Sequence, residues 1–319
     1  MNTRRITWID VAKGITIITM IVGHIVPFGS SLRNLIFSFH MPLFFILSGM
    51  TIKVPVSVGE LFTFVKKDFK HIIIPCILTQ LICMVLTVFF LHKNMLDMVK
   101  ITMDQLFWAA AVSYKMHPGL GALWFLVVLF WSKVLFYVIK YYFTLKYHYI
   151  FLISVFVGAS ISRKFWLPQS FDLVLVTVGF VYIGWLLKEK KILFEKYQPI
   201  ITYVAFVIWI LCWQKGIYIE LGTRSYPYFI VCIVEAFAGC ICIFSFSKFL
   251  DRYSNLVEPL KIIGLNTLTI LCVHHIDYFV PGIGQGSLLE ICLRRILFDI
   301  SFSLLFALLV KKTKIGFSS

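Results

Sequence analysis

Apolar residues run through this chain in long stretches, separated by short polar breaks that repeatedly carry Lys or Arg. Set against the ~20 residues needed to cross roughly 30 Å of hydrocarbon, the pattern predicts ten helices. They fall at residues 9–28, 35–52, 70–91, 119–140, 148–163, 171–187, 199–215, 226–247, 261–279 and 288–310. The fold class expected is all-α, a polytopic integral membrane protein with residues 1–319 forming a single transmembrane domain. The fifth run is short and ends at Arg163-Lys164. Before the third, Val58, Leu61, Phe62 and Val65 accompany Lys66, Lys67 and Lys70, the pattern of an amphipathic helix lying at an interface. Residues 92–118 form the longest connection and mix Met95, Leu96, Ile101 and Trp108 with Lys93, Asp97, Lys100 and Asp104. This segment is expected to be partly helical and folded over one mouth of the bundle. No fixed-period repeat and no low-complexity segment interrupts the pattern.

Composition agrees with that pattern: 60% of residues are hydrophobic, 14% are charged, and the mean hydropathy is +0.91. No stretch is polar and long enough for a separate soluble domain. The first run carries Asp10, Lys13 and His24 and is followed by no small-x-small cleavage site, so it is expected to persist as a spanning helix. The net charge of +15 raises the possibility of a nucleic-acid partner. That partner is rejected, because Lys and Arg fall in short clusters between apolar runs, as orientation signals do. The clusters also suit anionic lipid headgroups or a polyanionic ligand. Lys and Arg are in excess on the side that holds the N-terminus, so both termini are expected in the cytoplasm. The eight Cys lie in or beside apolar runs without metal-ligand spacing, and packing is the role expected of them, with no metal site.

The polar residues inside apolar runs carry the chemistry. Hydrocarbon penalises Asp, Lys and His by a few kcal/mol each, so such residues are kept where they face a polar interior. Asp10 and Lys13 fall near the cytoplasmic end of the first span and His24 near its outer end; His40 lies in the outer third of the second, and His274 near the outer end of the ninth. Three helices thus bring His to a similar depth, and His is the side chain suited to acid–base work near neutral pH. His71, His92 and His148 fall at span ends and His275 lies about 100° round the helix from His274, which suits simple interfacial hydrogen bonding. Asp10 and Lys13, three apart, share a helix face, as an ion pair or as a held ammonium for an anionic ligand. Pro42 is expected to kink the second helix and open room beside His40.

Several motifs, taken together, resemble a family. Lys13 and His24 form K-x10-H, similar to the Arg-x10-His signature of membrane acyltransferase family 3, and F-H-M-P-L-F-F-I-L-S-G at Phe39–Gly49 is similar to its fucose 4-O-acetylase-like branch. G-A-L-W-F-L at Gly121–Leu126 resembles that branch's Trp-Phe-Leu motif, and I-G-L-N-T-L-T-I-L-C-V-H at Ile263–His274 its late Asn-Ser-Leu…His motif, with Thr267 in place of Ser. The resemblance covers nearly the whole chain.

It implies transfer of an acyl group, commonly acetyl, from cytoplasmic acyl-CoA to a hydroxyl of a cell-envelope glycan or lipid-linked sugar, in a bacterial cytoplasmic membrane. Acetyl-CoA is then a donor substrate, and no permanently bound cofactor is implied. His24 is the leading catalytic candidate, joined by His40, His274 and Asn266 as second base, donor or orienter. Lys13 replaces the family Arg, keeping the charge and losing its planar fork; with Asp10 it is the donor-binding candidate. The eleven steps from Lys13 to His24 cover roughly 16 Å, about the reach of an extended pantetheine arm. Trp124 and Ser48 are the acceptor-side candidates. For Trp124 the competing role is an interfacial anchor, and for Ser48, beside Gly49, close helix packing. A transporter, with the same residues forming a proton or substrate pathway, is the alternative; it would show matching halves and broken helices. A membrane scaffold gives no reason for His on several helices.

Overall fold

The computed structural model describes residues 6–143, 145–189 and 197–312. Among these the chain is all-helical, with one isolated β-bridge between Tyr114 and His117. The helices are α1 (Thr7–Ile25), α2 (Ser31–Thr51), α3 (Val58–Asp68), α4 (Ile74–Leu91), α5 (Met95–Trp108), α6 (Trp124–Tyr142), α7 (Tyr147–Ser162), α8 (Phe171–Glu189), α9 (Gln198–Gln214), α10 (Phe229–Leu250), α11 (Ser254–Leu265), α12 (Thr267–Ile276) and α13 (Leu288–Lys312). Each of the ten expected positions holds a helix. Six helical stretches among the described residues are long and apolar enough to cross a membrane, and a bent pair makes a possible seventh. The remaining positions fall short for physical reasons. Helices α7 and α9 have 16 and 17 residues, less than the ~20 that hydrocarbon requires. Helix α13 is long but carries Glu290, Arg294, Arg295 and Asp299.

One expectation is refined and one corrected. The segment read as an amphipathic helix at the interface, Val58–Lys70, is helical and runs continuously into the next helix: α3 passes through a π-helical turn, Phe69–Ile73, into α4. Pro75 lacks the N–H that would bond four residues back, and a local widening of the helix accommodates it. The span expected at 261–279 is broken, because α11 and α12 meet at Asn266 with a bend of 63°. The Asn266 side-chain amide donates to the Ile262 carbonyl at 2.8 Å, competing with the helix for that acceptor. Pro42 lies inside α2, which continues without a break on either side of it.

The chain divides into two compact units. One holds the residues up to Leu47, the described part of Lys190–Glu220, and Tyr226 onward. Its centre is α1, which packs along α11, α10, α13 and α12. The α1–α11 crossing is backbone on backbone. A Cβ at Gly264 would overlap the Asp10 carbonyl, and one at Gly14 would overlap the Leu260 carbonyl. Only glycine at both positions permits this approach. At the start of α1, the Thr7 hydroxyl donates to Asp251 at 2.6 Å, and Lys261 pairs with the same carboxylate at 2.9 Å.

The other unit holds Ser48–Glu189 and Leu221–Ser225. Helix α8 packs on α6 and α7, and α5 packs on α4 and on the turn Pro168–Ser170. Its buried charges are paired. Asp68 accepts from Lys133 and from the Tyr137 hydroxyl, and Arg224 donates to Asp172 at 3.1 Å and to the Ser170 hydroxyl at 2.9 Å.

Candidate active site

The first unit brings the three sequence-selected histidines into one layer. His24 sits in the last turn of α1, exposed, with its ring centroid 5.6 Å from that of His274 on α12. The Phe37 ring stands 5.6 Å from His24 and 4.6 Å from His40, so His40 joins the layer through Phe37 rather than by touching His24. The His40 Nδ1–H donates to the Ile36 carbonyl at 2.9 Å. A carbonyl can only accept, so that bond leaves Nε2 as the bare nitrogen.

Behind His274 lie two carboxylates absent from the sequence candidates. The His274 Nδ1–H donates to Asp299 on α13 at 2.8 Å, and Asp277 stands 3.2 Å from the same nitrogen. His274, Asp277 and Asp299 are all buried. The carboxylates fix the tautomer and orientation of the imidazole, the arrangement that makes a neutral His an effective base. Arg295 faces Asp277 at 3.5 Å and offsets part of that negative charge. The order is therefore Asp299, His274, His24, with only the last exposed.

A second pair borders the layer. Arg33 forms a two-pronged pair with Glu220, at 2.9 and 3.5 Å, and its guanidinium lies 3.7 Å from the Phe37 ring centroid. Both members are buried. Such planar pairing fixes geometry as well as charge, so Arg33 braces the ring that lies between His24 and His40.

Single ligand atoms from His274, Asp277 and Asp299 lie within 4.8 Å of one another, a spacing that a metal ion would accept. The charge balance argues for proton handling instead. Arg295 already supplies a cation to Asp277, and His274 directs a proton, not a lone pair, at Asp299.

The other sequence candidates lie elsewhere. Asp10 is buried and Lys13 half-buried, eleven residues and about three turns before His24. Asn266 marks the α11–α12 break, two residues from the Gly264 that rests on Asp10. The eight residues from Asn266 to His274 rise about 12 Å along α12, which puts Asn266 toward the Asp10 end and not beside the histidines. Trp124 and Ser48 belong to the second unit. Trp124 is buried and opens α6, with Gly222 against its indole. Ser48 is half-buried, its carbonyl accepts from Thr51, and its neighbour Gly49 lies against the Val181 carbonyl. Of the four bland histidines, His71 bonds the Lys67 carbonyl at 2.7 Å and His148 bonds Tyr182, as residues at helix ends do.

Residues 6–310 match a family profile described as an acyltransferase domain. No curated protein and no solved structure matches the chain.

Proposed function

The chain belongs to membrane acyltransferase family 3, and from that premise we propose that it moves an acyl group, acetyl in the simplest case, from acyl-CoA to a hydroxyl of an envelope glycan or lipid-linked sugar. The observation that carries this reading is the ordered series Asp299, His274, His24, which ends on an exposed imidazole. The acceptor hydroxyl gives its proton to His24 as its oxygen attacks the thioester carbonyl. The C–O bond forms, the C–S bond breaks, and the departing thiolate takes the proton back from the imidazolium. His274, backed by Asp299, stabilises the cation that forms on His24 in between.

The donor is placed at the other end of α1. Lys13 on α1, Lys248 beside Trp8 (5.3 Å from its ring) and Lys261, paired with the Asp251 that Thr7 also bonds, supply positive charge along that half of α1, which suits the phosphates of CoA. In this proposal ten helices span the bacterial cytoplasmic membrane with both termini inside, so the donor enters from the cytoplasm and the histidine layer faces the envelope. His40 holds Phe37 in place beside the reaction level, and Trp124 and Ser48 serve the acceptor side.

The break at Asn266 is a feature that a transporter would share, so the test separates the two. Purified protein supplied with labelled acetyl-CoA and an extract of envelope saccharides is expected to transfer label, and His24→Ala to lose at least about 100-fold of that rate. Proton-coupled solute flux in vesicles, indifferent to CoA, would reject the enzyme.

A further inference from the structure

Arg33 and Arg295 both stand at the histidine layer, and their donors are used differently. Arg33 spends its two terminal nitrogens on Glu220, at 3.5 and 2.9 Å. Arg295 lies one turn before Asp299 on α13, on the same face of that helix. Its Nε is buried 3.5 Å from the Asp277 carboxylate. Its two terminal nitrogens meet no acceptor among the described residues, and unlike Nε neither is buried. An arginine placed only to neutralise a carboxylate can do so with its tips, as Arg33 does. Arg295 keeps them clear.

A guanidinium held at Nε and open at its tips is a planar fork for a two-point oxygen acceptor. Its place in the layer says which oxygen. Asp277, which holds it, stands 3.2 Å from the His274 Nδ1, and the His274 ring lies 5.6 Å from that of His24. The charge of Arg295 acts on the His24 imidazole. His24 is itself exposed, with no hydrogen-bond partner among the described residues. An open base and an open fork therefore belong to one site.

We propose that Arg295 is a catalytic residue that stabilises the oxyanion of the transfer step. The inference rests on the acyl-transfer reading, which identifies the reacting atoms. As the acceptor hydroxyl gives its proton to His24, its oxygen adds to the thioester carbonyl carbon. The π pair of the C=O bond moves onto the carbonyl oxygen, which accepts from both terminal nitrogens of Arg295. That pair then re-forms C=O, the C–S bond breaks, and the thiolate leaves with the proton held by His24. Arg295 keeps its own protons throughout. Its contact grows from a bond to a neutral carbonyl into a charge-assisted pair, so it lowers the barrier more than it tightens substrate binding.

Two substitutions separate this role from charge balance at Asp277. Arg295→Lys keeps a cation beside the carboxylate and loses the fork, whereas Arg295→Gln loses both. Steady-state transfer of labelled acetyl by the full-length protein is measured together with melting temperature. Arg295→Gln is expected to lower kcat about 100-fold or more and Arg295→Lys at least about tenfold, with the KM for acetyl-CoA within about twofold. Arg295→Lys should melt with the wild type, which keeps the test decisive if Arg295→Gln unfolds. The trifluoroacetonyl thioether of CoA, whose hydrated ketone presents tetrahedral oxygens, should bind wild type at least about tenfold more tightly than Arg295→Lys. S-ethyl-CoA, which has no carbonyl in that position, should bind both alike. Wild-type kcat in Arg295→Lys, a loss confined to KM, or equal binding of the ketone by both would overturn the role of Arg295 alone. Failure of the wild type to transfer acetyl would reject the acyl-transfer reading, and this inference with it.

Discussion

A histidine whose Nδ1–H is committed to a carboxylate has one nitrogen left for chemistry, and Asp299 imposes that state on His274. Replacing Asp299 by Asn lets the amide donate to the ring and favours the wrong tautomer. Asp299→Asn is therefore expected to lower kcat by about 100-fold or more while the KM for acyl-CoA stays within about twofold, measured by steady-state transfer of labelled acetyl. Because Arg295 already fills the cationic role at Asp277, prolonged treatment with a chelator should leave the rate unchanged; a rate lost to chelation and restored by a divalent ion would show the carboxylates to be metal ligands. The three histidines were legible in the sequence because imidazoles in apolar helices need a reason to be there. Asp299 carries the same signal, a lone carboxylate within an apolar run, and Asp277 follows His274 by one helical turn. What no periodicity reveals is that positions 274 and 299, on helices joined by a loop, point at each other.

At the scale of elements, the ten helical positions follow from length and hydropathy alone, and they are all helical. The breaks do not follow, because they depend on local competition for backbone acceptors. Asn266 reads as a motif residue, and the sequence does not show that its amide also bonds the Ile262 carbonyl at the bend. Gly14 and Gly264 read as ordinary small residues until both are seen to rest on a neighbouring carbonyl. Gly264→Val should force α1 from α11 and cost about 2 kcal/mol, read as a lowered melting temperature. The start of α1 has its own pH signature. Burial works to raise the Asp251 carboxyl, but the Thr7 hydroxyl and the Lys261 ammonium outweigh it and hold the group below its usual value. A carboxyl depressed in the folded state contributes stability that is complete above its unfolded value near 4 and is lost as pH falls through the folded value. Wild type should thus exceed Asp251→Asn by about 0.5–1 kcal/mol at neutral pH, with the two melting curves converging below about pH 4.

For the whole molecule, the distribution of Lys and Arg makes a claim about orientation that is independent of the site. Tags at either terminus should resist protease added to intact cells and be cut in inverted vesicles; cleavage of one tag on each side would reject an even number of crossings. Membership of the family was legible from four ordered motifs, because they are short and local. The division into two units was not, since it depends on which distant helices meet. The bend at Asn266 also bears on how the protein is made. Helix α12 has ten residues and rises about 15 Å, half of what the membrane requires, so it is too short to insert stably alone. It settles only against neighbours, α13 first and then α1, and α1 leaves the ribosome roughly 240 residues earlier, a delay set by the chain's own order. The newborn first helix must then wait in the lipid with Asp10, Lys13 and His24 uncovered until its last partners emerge. That interval is when a membrane chaperone would matter most, and it makes the final third of the chain the segment that closes the enzyme.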